Sequence, residues 1–349
     1  MLKNKFNVAV VGATGAVGQA IISILEARDF PINELRPLAS KNSVGKKILF
    51  KGNEIEVQEA NEHAFKDIDI ALFSAGGSVS KELAPAAVRS GAIAVDNTSA
   101  FRMDPDVPLI VPEVNIERAK DHNGIIANPN CSTIQMVVAL KPIFDKWGIK
   151  RIIVSTYQAV SGSGVKAVKE LQNQAQAVLD GKTDFPKEVL PVGSLPKHYQ
   201  IAFNAIPQID VFEDNGFTKE EMKMVNETQK IFEDEEIEVT PTAVRVGIVN
   251  GHSESVYVET KVPFDMNEVR HALSNFEGLQ LVDNILEQEY PLATDVNGKL
   301  DVYVGRVRKD LYNNQAINMW IVADNLLKGA AWNAVQIAEY LTKTEEVWK

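Results

Sequence analysis

Val8-Ala-Val-Val-Gly-Ala-Thr-Gly-Ala-Val-Gly18 is an apolar run that passes straight into a glycine-rich turn, with helical periodicity following over residues 16–26. A strand, a tight turn and a helix in that order open a βαβ unit. The glycines let the backbone turn sharply and approach a pyrophosphate, which the positive end of the helix then holds. Gly12, Thr14, Gly15, Ala16 and Val17 are therefore candidate cofactor contacts. The spacing is GxxGxxG rather than GxGxxG, a weak pattern alone; its position on the first strand makes it a dinucleotide-binding signature.

Outward from this turn the alternation continues. Residues 34–39, 68–73 and 92–95 read as strands and 80–89 as a helix, which implies a parallel sheet of Rossmann type. Beyond residue 131 the strands lengthen, at 151–160, 236–249, 255–262, 301–308 and 316–323, with helices at 165–179, 219–232 and 267–274. Such strands suit an antiparallel or mixed sheet with helices on one face. The expected fold class is α/β: a dinucleotide-binding domain over residues 1–130, completed by a C-terminal helix in 326–349, and a second α+β domain over 131–325.

The second strand ends in Leu38-Ala-Ser-Lys-Asn-Ser43, without the carboxylate that would hold a ribose 2′-hydroxyl. A hydroxyl and a cation, Ser40 and Lys41, would accept a 2′-phosphate, so NADP is expected in preference to NAD. The alternative for Lys41 is an ordinary exposed loop lysine. Ser74-Ala-Gly-Gly-Ser78 offers a second glycine-rich lip at the strand ends.

Of 349 residues, 45% are hydrophobic and 24% charged, ordinary values for a globular chain long enough for two cores. The net charge of −11 argues against nucleic acid or an anionic membrane as a partner. An anionic substrate would then need a local cluster of cations. No apolar stretch is long enough to span a bilayer and the first residues lack a signal-peptide core, so a soluble cytoplasmic protein is expected. No metal site is expected.

Cys131 is the only cysteine and closes the segment Gly124-Ile-Ile-Ala-Asn-Pro-Asn-Cys131. Residues 125–127 read as a strand, 128–130 as a turn and 132–140 as a helix. A thiol at a helix N-terminus is biased toward thiolate, the form a nucleophile needs. The alternative is a small buried hydrophobe. Of five histidines, His63, His122, His198 and His271 sit in polar or amphipathic contexts and read as surface residues. His252, in a glycine-flanked loop after a long strand, is the candidate acid–base group.

Over essentially its whole length the chain resembles the aspartate-β-semialdehyde dehydrogenase family. The matching segments are Gly12-Ala-Thr-Gly-Ala-Val-Gly18, Asn97-Thr-Ser-Ala-Phe-Arg102, Asn128-Pro-Asn-Cys-Ser-Thr133 and Tyr157-Gln-Ala-Val-Ser-Gly162, followed by Glu220-Glu-Met-Lys223, Arg245 with Gly251-His-Ser-Glu254, and Asp324-Asn-Leu-Leu-Lys-Gly-Ala-Ala331. The resemblance implies a glyceraldehyde-3-phosphate-dehydrogenase-like two-domain plan. It also implies reductive dephosphorylation of L-aspartyl-4-phosphate to L-aspartate-4-semialdehyde by NADPH, through a cysteine thioester, in lysine, threonine, methionine and diaminopimelate biosynthesis.

On that resemblance Cys131 is the nucleophile and His252 the acid–base group that deprotonates it and serves the hemiacetal oxygen. Gln158 orients the substrate, Arg245 clamps its α-carboxylate, Glu220 pairs with its ammonium, and Arg102 and Lys223 bind phosphate. Ser161, Gly162 and Asn325 reach the nicotinamide. The resemblance also implies a homo-oligomer, a dimer or tetramer, built through the second domain. Without it, Glu220 and Lys223 read as an i,i+3 surface ion pair, Gln158 as a strand-end polar residue and Arg102 as an exposed loop arginine. Relatives often carry an arginine near Asn42, where this chain has Lys41. Two alternatives to the family activity are N-acetyl-γ-glutamyl-phosphate reductase, which would need no acidic partner such as Glu220, and a non-catalytic nucleotide-binding scaffold.

Overall fold

The computed structural model describes residues 3–348. Residues 1, 2 and 349, at the outer ends of the expected 1–130 and 326–349 segments, lie outside the described residues. The chain divides into two units, residues 1–130 with 329–349, and residues 131–328.

The first unit runs β1 (Phe6–Val11), α1 (Ala16–Ala27), β2 (Ile32–Ala39), β3 (Lys47–Phe50), β4 (Asn53–Glu56), β5 (Gln58–Glu59), β6 (Ile70–Phe73), α2 (Gly77–Arg89), β7 (Ile93–Asp96), α3 (Pro112–Asn115) and β8 (Ile125–Ala127). Six of these strands form a parallel sheet in the order β5-β2-β1-β6-β7-β8. The strands β6 and β7 are buried at every residue, as parallel strands covered on both faces must be. One core layer joins Ala9, Val11 and Phe73 of the sheet to Leu83, Ala84 and Ala87 of α2, with Phe65 stacked on Phe73 at 5.9 Å.

The second unit runs α4 (Cys131–Trp147), β9 (Ile149–Gln158), α5 (Val165–Leu179), β10 (Ala205–Ile206), α6 (Lys219–Phe232), β11 (Glu238–Val246), β12 (His252–Thr260), α7 (Met266–Ser274), β13 (Leu279–Leu281), α8 (Ala293–Val296), β14 (Val302–Lys309) and β15 (Ala316–Ala323). Its seven-stranded mixed sheet has the order β10-β11-β9-β12-β15-β14-β13. Helix α4 is buried along most of its length because it lies on this sheet and against α6 and α7. Thr218 caps α6 with a full capping box to Glu221, which fixes where that helix begins.

The expected C-terminal helix is split. A π-helical turn over Leu327–Ala331 precedes α9 (Trp332–Lys343). Asp324 Oδ1 accepts the N–H groups of Leu326 and Leu327 and starts the turn, and the small Gly-Ala-Ala stretch accommodates its wider winding. Within the first unit α9 packs on α1, where Arg28 pairs with Glu339 at 2.9 Å and lies over the Trp332 ring. No helix among the described residues is long and apolar enough to cross a membrane.

Glu254 is the least expected residue of the second core. It lies on the inward face of β12, opposite Thr156 and Ile321, and is wholly buried. Burial pushes its pKa well above the ordinary carboxyl value, and the Gln135 amide from α4 offsets only part of that. The folded protein therefore binds a proton here that the unfolded chain releases above its ordinary pKa, so this residue's contribution to stability falls as pH rises. Glu254→Gln should melt close to the parent protein near pH 4.5 and increasingly above it toward pH 8. A melting-temperature difference independent of pH would show that Glu254 is not held as the neutral acid.

Candidate active site

In the first unit, Gly12 follows β1 with φ +87°, and a Cβ there would stand 2.9 Å from the backbone of Ser74 and Ala75. A Cβ on Gly18 would stand 2.2 Å from the Gly12 carbonyl oxygen. These glycines let the first turn, helix α1 and the lip after β6 close on one another. Helices α1 and α2 both begin at glycine caps, Gly15 and Gly76, with no side-chain capping bond. Both follow adjacent parallel strands, so two helix N-termini present uncapped main-chain N–H groups at the carboxyl edge of the sheet, the arrangement a pyrophosphate uses.

Ser40 and Lys41 lie at the start of a short 3-10 turn after β2. Within that turn Ser43 is buried, its hydroxyl 3.5 Å from Thr14 Oγ1 and 3.3 Å from Lys46 Nζ. Lys46 was not singled out from sequence, because only the fold brings it back to the turn.

In the second unit, three strands set a row of polar groups. Strands β9 and β11 run parallel with Gln158 opposite Arg245, and β9 and β12 run antiparallel with Tyr157 opposite Ser253. The ends of β9 and β11 and the start of β12 therefore meet at one edge. Gln158, Arg245 and His252 are 1%, 3% and 0% exposed. His252 is the first residue of β12, not a loop residue as expected. Gly251 ends the turn, and His252 already pairs with Ala323 of β15.

Arg245 Nη1 donates to the Ala159 carbonyl at 2.7 Å, and His252 Nδ1 accepts the Ala159 N–H at 3.0 Å. Burial lowers the Arg245 pKa, and the nearby charges of Glu220 and Cys131 push it back up. That coupling is mutual: the guanidinium favours a Cys131 thiolate, as does the position of Cys131 as the first residue of α4. Burial first, then Arg245, depress His252 to about 3 against the opposing pull of Glu220, so the ring is neutral at physiological pH.

Glu220 is 6% exposed and accepts from Gln158 Nε2 at 3.2 Å and from Lys223 Nζ at 3.1 Å. The i,i+3 pair does form, but on a buried carboxylate rather than on the surface. Lys223 also reaches Asp210 at 3.3 Å, a partner that sequence reasoning missed. Ser161 and Gly162 lie in a 3-10 turn over Val160–Ser163. Asn325 ties that turn to the β12 start, donating to Ser161 Oγ at 2.9 Å and accepting from the Gly251 N–H at 3.0 Å.

Arg102 belongs to the first unit, where it is 8% exposed and donates to the carbonyls of Asn97 and Asn128. The exposed-loop reading of this residue is thereby replaced. His122, expected on the surface, is half-buried between the Gly124 N–H and the Val347 carbonyl. No metal-holding group of three or more His, Cys, Asp or Glu occurs among the described residues.

Residues 7–122 match the family model described as semialdehyde dehydrogenase, NAD binding domain, and residues 140–328 match semialdehyde dehydrogenase, dimerisation domain. The aspartate-semialdehyde dehydrogenase of Bacillus subtilis (strain 168) is 57% identical over 338 residues, 97% of each chain. That of Aquifex aeolicus (strain VF5) is 55% identical over 341 residues, 97% of this chain and 98% of the relative. A crystal structure of aspartate semialdehyde dehydrogenase II from Vibrio cholerae, complexed with ASA, is 49% identical with a TM-score of 0.93, covering 98% of this chain and 100% of that one.

The crowding at Gly162 is itself testable. A Cβ there would stand 3.0 Å from Arg245 Nη1 and 3.3 Å from His252 Cε1 and Nε2. Gly162→Ala should displace both groups and lower turnover by about 10- to 100-fold, with little change in melting temperature. Full activity in that variant would mean that the two groups need not stand where they do.

Proposed function

We infer the reaction from one premise: the chain belongs to the aspartate-semialdehyde dehydrogenase family. It is an oxidoreductase of amino-acid biosynthesis with a nicotinamide-dinucleotide-binding domain. We propose that it converts L-aspartyl-4-phosphate and NADPH reversibly to L-aspartate-4-semialdehyde, phosphate and NADP, on the route to lysine, threonine, methionine and diaminopimelate. The observation that carries this is the buried row of Arg245, Gln158 and His252, with Cys131 electrostatically coupled to its guanidinium.

In this reading the Cys131 thiolate attacks the acyl phosphate carbon and phosphate departs, leaving a thioester. NADPH, when bound, supplies the hydride that takes the thioester to the aldehyde level. His252 serves the oxygen that alternates between carbonyl and alkoxide. Arg245 receives the α-carboxylate; its Nε is buried with no hydrogen-bond partner among the described residues, which leaves an edge for a planar anion. Glu220, held by Gln158 and Lys223, receives the ammonium. Lys223 in the second unit and Arg102 in the first are each assigned to phosphate by the family resemblance. The free ammonium is what favours this substrate over an N-acetylated one, for which a buried carboxylate would be an unpaired cost.

The dinucleotide fits the first unit, where glycines at positions 12 and 18 leave no room for a Cβ and the caps of α1 and α2 are open. Ser40 and Lys41, with Ser43, Thr14 and Lys46 beside them, support NADP over NAD. Ser161, Gly162 and Asn325 would form the nicotinamide edge. A homo-oligomer built through residues 140–328 completes the reading.

Phosphate-dependent NADP reduction with aspartate semialdehyde, measured beside N-acetylglutamate semialdehyde, tests the substrate. Turnover of the second and not the first would overturn the assignment. Cys131→Ala should abolish turnover and leave NADPH affinity nearly intact. Arg245→Lys keeps the charge and loses the fork, so kcat/KM should fall by about one to two orders of magnitude while phosphate affinity changes much less. Loss of phosphate affinity with the amino-acid end untouched would mean that the two anion sites are exchanged.

A further inference from the structure

Asn333 of α9 is wholly buried and takes no part in the steps assigned above. Its Nδ2 donates to the Ile110 carbonyl at 3.0 Å and to the Asn128 side-chain oxygen at 2.7 Å. The Ile110 carbonyl can only accept, so Asn333 must present its amide nitrogen there, and Asn128 must in turn present its Oδ1. Asn128 and Ile110 are wholly buried too, so bulk water cannot take over from Asn333 as their donor. Three residues further along α9, Gln336 donates to Glu113 at 2.7 Å, and one face of the helix thereby holds both ends of the stretch 110–113.

Asn128 is also fixed through its main chain. Its N–H donates to the Asp96 carbonyl at 2.8 Å, which ties it to the end of β7, and its own carbonyl accepts from Arg102 Nε at 2.9 Å. Arg102 Nη2 donates to the Asn97 carbonyl at 2.8 Å. These two carbonyls fix the plane of the guanidinium, and a carbonyl orients such a group without cancelling its charge. All of these residues belong to the first unit.

We propose that Asn333 is a positioning residue for Arg102: by gripping the Asn128 side chain it keeps the Asn128 carbonyl facing the guanidinium, and so sets the affinity of that guanidinium for phosphate. This rests on the assignment of Arg102 to phosphate above. Removal of the Asn333 amide leaves the Ile110 carbonyl and Asn128 Oδ1 buried without that donor, a state costly enough to turn Asn128 toward another. Asn128 Nδ2 has no hydrogen-bond partner among the described residues, so no bond on that side of the amide resists the turn. The main-chain carbonyl moves with it, and Arg102 loses its bond at Nε. A guanidinium released there keeps its charge but is less firmly oriented, which weakens a planar grip on phosphate oxygens and leaves the amino-acid end of the substrate alone.

The test uses the full-length protein in the phosphate-dependent direction, with KM for inorganic phosphate, aspartate semialdehyde and NADP each measured. The parent is compared with Asn333→Ala, Asn128→Ala, the double variant and Arg102→Leu. Asn333→Ala should raise the KM for phosphate by about 5- to 20-fold and leave kcat and the other two KM values within about twofold. Both single variants break one shared bond, so Asn128→Ala should do the same and the double variant should stay within about twofold of either. A phosphate KM within about twofold of the parent, or a fall in kcat with a rise in every KM alike, would make Asn333 merely structural and overturn the proposal. Effects that multiply in the double variant would overturn it as well, because Asn333 would then act by another route. Should Asn333→Ala fold poorly, Asn128→Ala removes the same bond, keeps the carbonyl and carries the same expectation.

Hydrogen exchange at the Arg102 Nε–H reads the bond to Asn128 without substrate. Its ¹⁵N-labelled signal, assigned by its loss in Arg102→Leu, should exchange about tenfold faster or more in Asn333→Ala than in the parent, and equal rates would overturn the proposal. An unchanged phosphate KM in Arg102→Leu would strike the phosphate assignment alone, and the exchange rates would still decide whether Asn333 positions the guanidinium.

Discussion

Arg245 and His252 are strongly polar and almost wholly withdrawn from water, and the main chain of Ala159 holds both. Its carbonyl accepts from the guanidinium and its N–H donates to the imidazole, so the two peptide planes flanking one Cα face opposite demands. Ala159 follows the last residue of β9, and that strand is clamped on one side by β11 in parallel and on the other by β12 in antiparallel pairing. The placement of these polar groups is thus a property of sheet register. A one-residue slip on either side would turn Gln158 or its neighbours to the opposite face.

Burying this much polarity requires that charges answer one another locally. Arg245 is opposed by Glu220, Glu220 by Lys223, and Lys223 in turn by Asp210. His252 avoids the problem by remaining neutral, and Glu254, two residues further along β12, by remaining protonated. The chain's net charge of −11 gives no hint of this cluster of cations, since it averages over a surface that the cluster does not share. Positive charge that could meet an anion is a matter of this one edge rather than of the protein's overall field.

Much of this was legible in the amino-acid sequence, and the reasons for the rest are physical. The glycine turn announced the parallel sheet because only a few residues can make that turn. The place of Cys131 at the start of a helix was legible from the Asn-Pro-Asn turn and the helical run that flank it. His252 was misplaced into a loop because Gly251 looks like the middle of a turn; only pairing with Ala323 and the neighbouring strand shows that the strand begins there. Glu254 lies just before the strand expected at 255–262, and its burial becomes visible only once β12 is seen to start at His252. Ala159 could not be found at all, because it acts through its main chain and any side chain would have hidden that. Lys46 and Asp210 needed the fold to bring them to Ser43 and Lys223.

Cys131 is partly exposed and sits at a positive helix end beside a guanidinium, conditions that make a thiol reactive toward oxidants as well as toward acyl groups. The sequence holds no second cysteine to resolve a sulfenic acid as an intrachain disulfide. Once oxidised, the chain depends on a thiol from outside itself for repair, and in its absence the sulfur climbs toward the irreversible sulfinic and sulfonic acids. The features that would prepare the proposed nucleophile therefore also tie the working lifetime of each molecule to the reducing capacity of its surroundings.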